Sequence, residues 1–238
     1  MITYEDSGYA ANRPLRPDSW AKNFSDMPDG LQMTRRALPP GFLIIQNYLD
    51  PALCQKLVSE CNQLPGITQG VAKGEGDTST VINNQRTSET VDIFKLKTSV
   101  VDIAKDAYAK VVAPHFGVDF EWFERPEVLR YHQGGEYVPH ADAENWFAGE
   151  KKWKRVIDRD ISILLYLNEG FQGGEIAFPN FGMQLPPRAG LLIAFPSDAR
   201  YLHTARPLIS GVRYALVSWA AVKGSPRVQD APGDIYRL

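Results

Sequence analysis

The sequence predicts an α+β fold in which N-terminal helices support a double-stranded β-helix, or jelly-roll barrel. Two observations predict it. Helical spacing of apolar residues is confined to two segments, 51–64 and 97–116, both early in the chain. From Glu127 onward the pattern changes to short strands punctuated by Gly and Pro. Seven or eight strands within about 100 residues imply a sandwich or jelly-roll barrel.

Taken in order, residues 1–40 are rich in Pro, Asp, Asn and Arg and show little periodicity. They are expected to form an arm, laid on the domain or partly disordered. Residues 41–238 are expected to form one domain, with the barrel core at about 126–222. GFLIIQNYL (41–49) has the apolar run of a buried strand. Asp50 and Pro51 then supply an N-cap and a proline at the first helical position. They open a helix over PALCQKLVSECNQL, with Leu53, Leu57, Val58, Cys61 and Leu64 on one face. Its cysteines, Cys54 and Cys61, are the chain's two. Seven residues of helix rise about 10 Å, too far for a disulfide. Both are read as small core residues. Residues 66–90 form a Gly/Ser/Thr/Asn-rich loop region with room for short strands. Residues 97–116 present one broad apolar face from Val100 to Val112 at helical spacing. The expected strands are EVLRYHQ, YVPHADA, DISILLYLN, EIAFP, GLLIAFP, LHTARPLI and VRYALVSWAAV.

The bulk numbers exclude several function classes. Net charge is -2, from 26 basic and 28 acidic side chains, so nothing implies a nucleic-acid partner or an anionic membrane. No segment approaches the ~20 apolar residues of a membrane span. The N-terminus is polar, with no apolar run of a signal peptide. A cytoplasmic, soluble protein is expected. Monomer and homodimer both stay open.

The chain holds four histidines: His115, His132, His140 and His203. His140 and Asp142 sit two apart in an expected strand, so both side chains would point to one sheet face. His203 begins another strand 63 residues on, which in a jelly roll can face the first across the barrel mouth. Two neutral imidazoles and one carboxylate leave coordination positions open. That donor set suits a non-haem Fe(II) centre that must admit a co-substrate and O2. An isolated His-x-Asp is more often a surface pair. Its company is what carries the reading. Arg213 lies ten residues after His203 in VRYALVSW, an otherwise apolar strand. An arginine buried there needs an anionic partner, and it can grip a carboxylate through paired bonds.

From about residue 84 to 222 the chain resembles the prolyl 4-hydroxylase-like branch of the 2-oxoglutarate/Fe(II)-dependent oxygenases. The matching runs are RYHQGGEYVPHAD, RDISILLYLN, GGEIAFP, PPRAGLLIAFP and HTARPLISGVRYALVSW. NQRTS, with Arg86, Thr87 and Ser88, resembles an upstream element of the same family. The resemblance implies His140, Asp142 and His203 as iron ligands and Arg213 as partner of the distal carboxylate of 2-oxoglutarate. It implies Tyr131, Ser162, Tyr166 and Trp219 around the co-substrate pocket, with the Tyr166 hydroxyl meeting that same carboxylate. Strand alternation independently puts Ser162, Leu164 and Tyr166 on one face. The cofactors implied are Fe(II), with 2-oxoglutarate and O2 as co-substrates; ascorbate would sustain activity. Gly173 and Gly174 are read as turn formers.

The substrate side departs from the pattern. The segment from Asp142 to Arg159 carries Trp146, Phe147 and Trp153 beside Lys151, Lys152, Lys154 and Arg155. It is read either as a lid over the substrate or as a solvated loop. A prolyl residue of a protein or peptide is the first expectation. The alternative is a free amino acid or small specialised metabolite, hydroxylated, desaturated or cyclised, with Arg86, Arg155 or Arg200 holding its carboxylate. Remoter readings are a cupin-type metal protein and a non-catalytic ligand sensor. Cupins gather three histidines and a glutamate, and His132 and His140 lack that spacing. Loss of a triad member would have favoured a sensor, and none is lost.

Overall fold

The computed structural model describes residues 38–68 and 86–238. The expected arm at 1–40 lies outside them, save for its last three residues, as does most of the loop region at 66–90. In chain order the elements begin with β1 (Leu43–Ile45), α1 (Pro51–Asn62), β2 (Gly66–Thr68), β3 (Glu89–Val91), α2 (Val100–Ala107) and α3 (Ala113–Phe116). The barrel strands follow: β4 (Phe120–Glu124), β5 (Glu127–Tyr131), β6 (Tyr137–His140), β7 (Glu144–Phe147), β8 (Lys152–Arg155) and β9 (Ile161–Tyr166). The chain then forms β10 (Gln172–Gly173), β11 (Ile176–Phe178), β12 (Met183–Leu185), β13 (Leu192–Pro196), β14 (His203–Ala205), β15 (Leu208–Ser210), β16 (Arg213–Val222) and β17 (Ile235–Arg237).

The helices form where the sequence places them. The Asp50 carboxylate accepts hydrogen bonds from the amides of Ala52 and Leu53, with Pro51 at the first helical position. Cys54, Leu57 and Cys61 are the buried face, and both thiols are free. The expected helix at 97–116 is interrupted: α2 is capped by the Ser99 hydroxyl, and α3 ends at Gly117 in the left-handed conformation. Between them Tyr108–Val112 is a π turn, an insertion that shifts the apolar face by one residue.

Two antiparallel sheets make the barrel. The larger runs β1-β13-β9-β16-β5-β3-β2, with β4 paired to β16 and β17 paired to β4. The smaller is β12-β11-β14-β6. Strand alternation sorts side chains between two cores. On β9, Ile161, Ile163 and Leu165 pack toward the helices with Leu57, Ala104 and Tyr108. Tyr166 turns inward among Phe178, Ile193 and Phe195. On β16, Tyr214, Leu216 and Ala220 face the helices, while Ala215, Val217 and Trp219 face the barrel interior. Among the described residues no helix is long and apolar enough to cross a membrane.

Two expectations need correction and a third is refined. LHTARPLI is two strands, β14 and β15, in different sheets. Pro207 at the break has no amide to continue a ladder. The Asp142–Arg159 segment, read as a lid or a solvated loop, contains a β-hairpin of β7 and β8. Strand β6 ends at His140, so Asp142 lies beyond it in a bend. The shared strand face of His140 and Asp142 therefore does not bring them together. Asp142 is set by its next neighbour, Ala143, whose amide donates to the Ser197 carbonyl at 2.8 Å.

Candidate metal and co-substrate site

His140 and His203 are direct register partners across the antiparallel pair β6 and β14. That pairing brings their ring centroids to 4.3 Å. From the bend, Asp142 adds a carboxylate: Oδ1 lies 3.6 Å from His140 Nε2, and Oδ2 lies 3.7 Å from His203 Nε2. One donor atom from each residue falls within 4.8 Å of the others. This is a group compact enough to hold a single metal ion.

The ring tautomers follow from the neighbours. His140 Nδ1 is 2.9 Å from the Val138 carbonyl, and His203 Nδ1 is 3.1 Å from the Tyr201 carbonyl. A carbonyl only accepts, so each Nδ1 donates its proton and each Nε2 keeps a lone pair aimed at the site. Burial, then the neighbouring His140, lowers the His203 pKa to about 4, so the ring is neutral at pH 7. Burial opposes ionisation of Asp142, but His203 and His140 outweigh it and hold the carboxyl well below the usual carboxylate range. A neutral imidazole and an ionised carboxylate are the forms that ligate metal. Phe178 and Phe195 wall His203 with ring centroids at 5.7 and 4.9 Å.

The same barrel holds a cationic slot at Arg213 and Tyr166, the latter clustered with Phe178 and Phe195. Arg213 is 2% exposed. Its guanidinium sits 3.9 Å over the Tyr131 ring, and Nη1 donates to the Gly174 carbonyl at 2.6 Å. Its Nε and the Tyr166 hydroxyl are buried with no hydrogen-bond partner among the described residues. Orphaned buried donors are costly. A carboxylate placed between these two would satisfy both. Burial pushes the Tyr166 hydroxyl up to about 12, which keeps its proton available for donation. Gly174, read as a turn former, has φ +71° and lies against Arg213: an added Cβ would stand 3.3 Å from Arg213 Cδ.

The other expected residues divide. Trp219 lines the barrel interior with Tyr131, Leu129 and Val217. Ser162 bonds the metal-site carboxylate: its hydroxyl lies 2.6 Å from Asp142 Oδ2. Trp146 and Trp153 are cross-strand partners on the hairpin, ring centroids 5.9 Å apart. Trp146 is 47% exposed, while the Trp153 indole N–H is buried without a partner among the described residues. The arginines expected to await a substrate carboxylate are already engaged. Arg86 pairs with Glu127 at 3.0 Å, and Arg200 grips Asp198 through Nε and Nη2 at 2.9 and 2.7 Å. The Arg155 side chain is 4% exposed and lies between Asp158 and Asp160 at 3.1 and 2.8 Å. Burial with two acids makes it a tie at the hairpin base.

Two site residues were missed in the sequence. Tyr137 stacks on His140, centroids 3.5 Å apart at 16°. Arg159 lies 3.7 Å over the Trp219 ring and forms a double bond pair with Glu124 at 2.7 and 2.6 Å. The signal used for Arg213, a lone cation at the mouth of an apolar strand, was present for Arg159 ahead of DISILLY.

Residues 126–221 match the family model of the 2OG-Fe(II) oxygenase superfamily. The chain is 25% identical over 233 residues to probable prolyl 4-hydroxylase 6 of Arabidopsis thaliana, covering 86% of this chain and 77% of that one. The fold is similar to that of a viral collagen prolyl hydroxylase from Paramecium bursaria Chlorella virus-1, solved as a 2-oxoglutarate complex. The TM-score is 0.57 and identity 24%, over 77% of this chain and 98% of that one. It is also similar to a Trichoplax adhaerens prolyl hydroxylase in complex with a hypoxia inducible factor peptide: TM-score 0.60, identity 19%, over 76% and 83% of the two chains.

Proposed function

We propose that this chain is a prolyl hydroxylase-like 2-oxoglutarate/Fe(II)-dependent oxygenase and that it hydroxylates a prolyl residue within a protein or peptide; the family match over residues 126–221 and the prolyl 4-hydroxylase relatives support the reading. Fe(II), 2-oxoglutarate and O2 are its cofactor and co-substrates. When bound they supply the oxidant that turns an unactivated C–H into C–OH, with release of succinate and CO2. The protein supplies orientation and a dry cavity. In the proposed assignment, His140, Asp142 and His203 hold the iron. Arg213 and Tyr166 donate to the distal carboxylate of 2-oxoglutarate, with Tyr131 fixing the guanidinium plane. Trp219, backed by Arg159, borders the substrate side, and the Trp146–Trp153 hairpin is assigned as its lid.

The observation that carries the reading is the pair of orphaned donors, Arg213 Nε and Tyr166 Oη, in the same barrel as a compact His-Asp-His group, with Tyr166 sharing a core cluster with the Phe178 and Phe195 rings that wall His203. A structural arginine would have found a carboxylate during folding, as Arg155 and Arg200 did. The peptide assignment is supported by the relatives and by one further finding. Arg86, Arg155 and Arg200 are each spent on an acidic side chain, which leaves none of the three for the carboxylate of a free amino acid.

The test is succinate formation by the purified chain with Fe(II), ascorbate and 2-oxoglutarate. Proline-containing peptides are expected to stimulate it, with the peptide gaining one oxygen atom. Stimulation by free amino acids or small metabolites alone would replace the peptide assignment. Tight zinc binding with no 2-oxoglutarate turnover would overturn the oxygenase reading itself.

A further inference from the structure

A carboxylate beside two imidazoles can ligate a metal through one oxygen or both, and the two differ by one coordination position. Nothing in the distances to the histidines chooses, because Oδ1 and Oδ2 of Asp142 are almost equally placed, at 3.6 and 3.7 Å from their nearest Nε2. The choice is made from behind. Ser162 Oγ lies 2.6 Å from Oδ2, and Ser197 Oγ lies 2.8 Å from Ser162 Oγ. Both serines are almost fully buried.

Proton directions in this row are fixed by elementary chemistry. An ionised carboxylate only accepts. Ser162 must therefore spend its single hydroxyl proton on Oδ2. Its oxygen is then the acceptor, and Ser197 must donate to it. Successive donation in one sense polarises each bond and strengthens the last. The same Ser197 also fixes the backbone around the ligand. Its carbonyl accepts the Ala143 amide at 2.8 Å, and its own amide donates to the Asp160 carbonyl at 3.1 Å.

We infer that Ser162 and Ser197 are positioning residues that hold Asp142 Oδ2 away from the metal, so that Asp142 ligates through Oδ1 alone and coordination positions stay free for co-substrate and O2. The inference rests on the metal site proposed above. Neither serine touches substrate or metal; both act through Asp142.

The experiment uses the full chain, without 2-oxoglutarate or O2, titrated with Co(II). The readouts are cobalt affinity and the splitting between the antisymmetric and symmetric carboxylate stretches of isotope-labelled aspartate in the infrared. Ser162→Ala is expected to bind about 10–100-fold more weakly, with the splitting narrowed toward the two-oxygen mode. Ser162→Thr keeps the hydroxyl and is expected to restore both readouts. Ser197→Ala is expected to weaken binding less, since Ser162 still donates. Wild-type affinity and splitting in Ser162→Ala overturn the inference, as does a Ser162→Thr chain no better than the alanine variant. Should Ser162→Ala not fold, unchanged affinity in Ser197→Ala overturns the relay. These outcomes leave the oxygenase reading standing, because that reading depends on wild-type cobalt binding and wild-type succinate formation.

Discussion

Arg213 and Tyr131 are register partners across β16 and β5, and the guanidinium lies 3.9 Å above the phenol ring. The strand pairing delivers the cation and the ring flattens it. One edge is tied to the Gly174 carbonyl, and Nε stays available. Replacing Arg213 by Leu removes a charge-assisted bond pair from a buried site. At roughly 1.5–3 kcal/mol for such bonds, KM for 2-oxoglutarate is expected to rise about 10–100-fold. Arg213→Lys keeps the charge but loses the planar fork, so its KM should fall between the two. Steady-state kinetics at varied 2-oxoglutarate decides this. An unchanged KM in Arg213→Leu would remove the arginine from the co-substrate site.

The metal group leads to a second expectation. Cation bound to the folded state stabilises it by mass action, about 2.7 kcal/mol at a hundredfold excess over Kd. Chelation should therefore lower the thermal midpoint of the wild type, and Co(II) should restore it. His140→Ala should melt close to the chelated wild type, gain no stability from Co(II), and make no succinate. A midpoint in His140→Ala that still rises with Co(II) would place the metal elsewhere.

Much of this site is legible in the chain because local rules suffice for it. Alternation alone puts Ser162 and Tyr166 on the inner face of β9, and a lone cation in an apolar strand marks Arg213. What escapes is set by contacts between distant segments. The bend that carries Asp142 depends on the Ser197 carbonyl, 55 residues away from Ala143's neighbour Asp142, and no local pattern announces it. Alternation places Ser162 on the inner face but does not announce its hydroxyl partners, because Ser197 arrives from just beyond β13. The tie of Arg155 to Asp158 and Asp160 was hidden for the opposite reason. Its sequence neighbours Lys151, Lys152 and Lys154 make it look like one more exposed cation. Strands β4 and β17 were missed because β17 is three residues long and owes its existence to β4.

The Arg155 cluster is a stability element. Asp158 accepts from the amides of Val228 and Gln229, and Asp160 accepts from the Val222 amide. Arg155 thus neutralises the two acids that hold the C-terminal segment. Arg155→Ala removes the cation from buried Asp158 and leaves Asp160 with Arg227 at 3.6 Å, and should cost about 3–5 kcal/mol. Urea denaturation should show an earlier midpoint. KM for 2-oxoglutarate should stay close to the wild-type value, since the Arg213 slot belongs to other strands. A loss under 1 kcal/mol (roughly the worth of an exposed pair) would contradict the buried tie.

The metal-free protein should lose stability as pH falls below about 6.5, the ordinary histidine pKa. Burial and the His140 charge depress His203 to about 4 in the folded chain, so the unfolded chain binds the proton first. Between about 6.5 and 4 the unfolded state carries more protons than the native one, and native stability therefore falls with falling pH through that window. Protons also compete with metal for the His203 Nε2 lone pair, so Co(II) affinity should weaken over the same range. The two effects separate in His203→Gln, which has no titrating ring. Its apo stability should lose this component of the slope, measured by chemical denaturation at several pH values under chelation. An identical slope in wild type and His203→Gln would assign the acid sensitivity to another group.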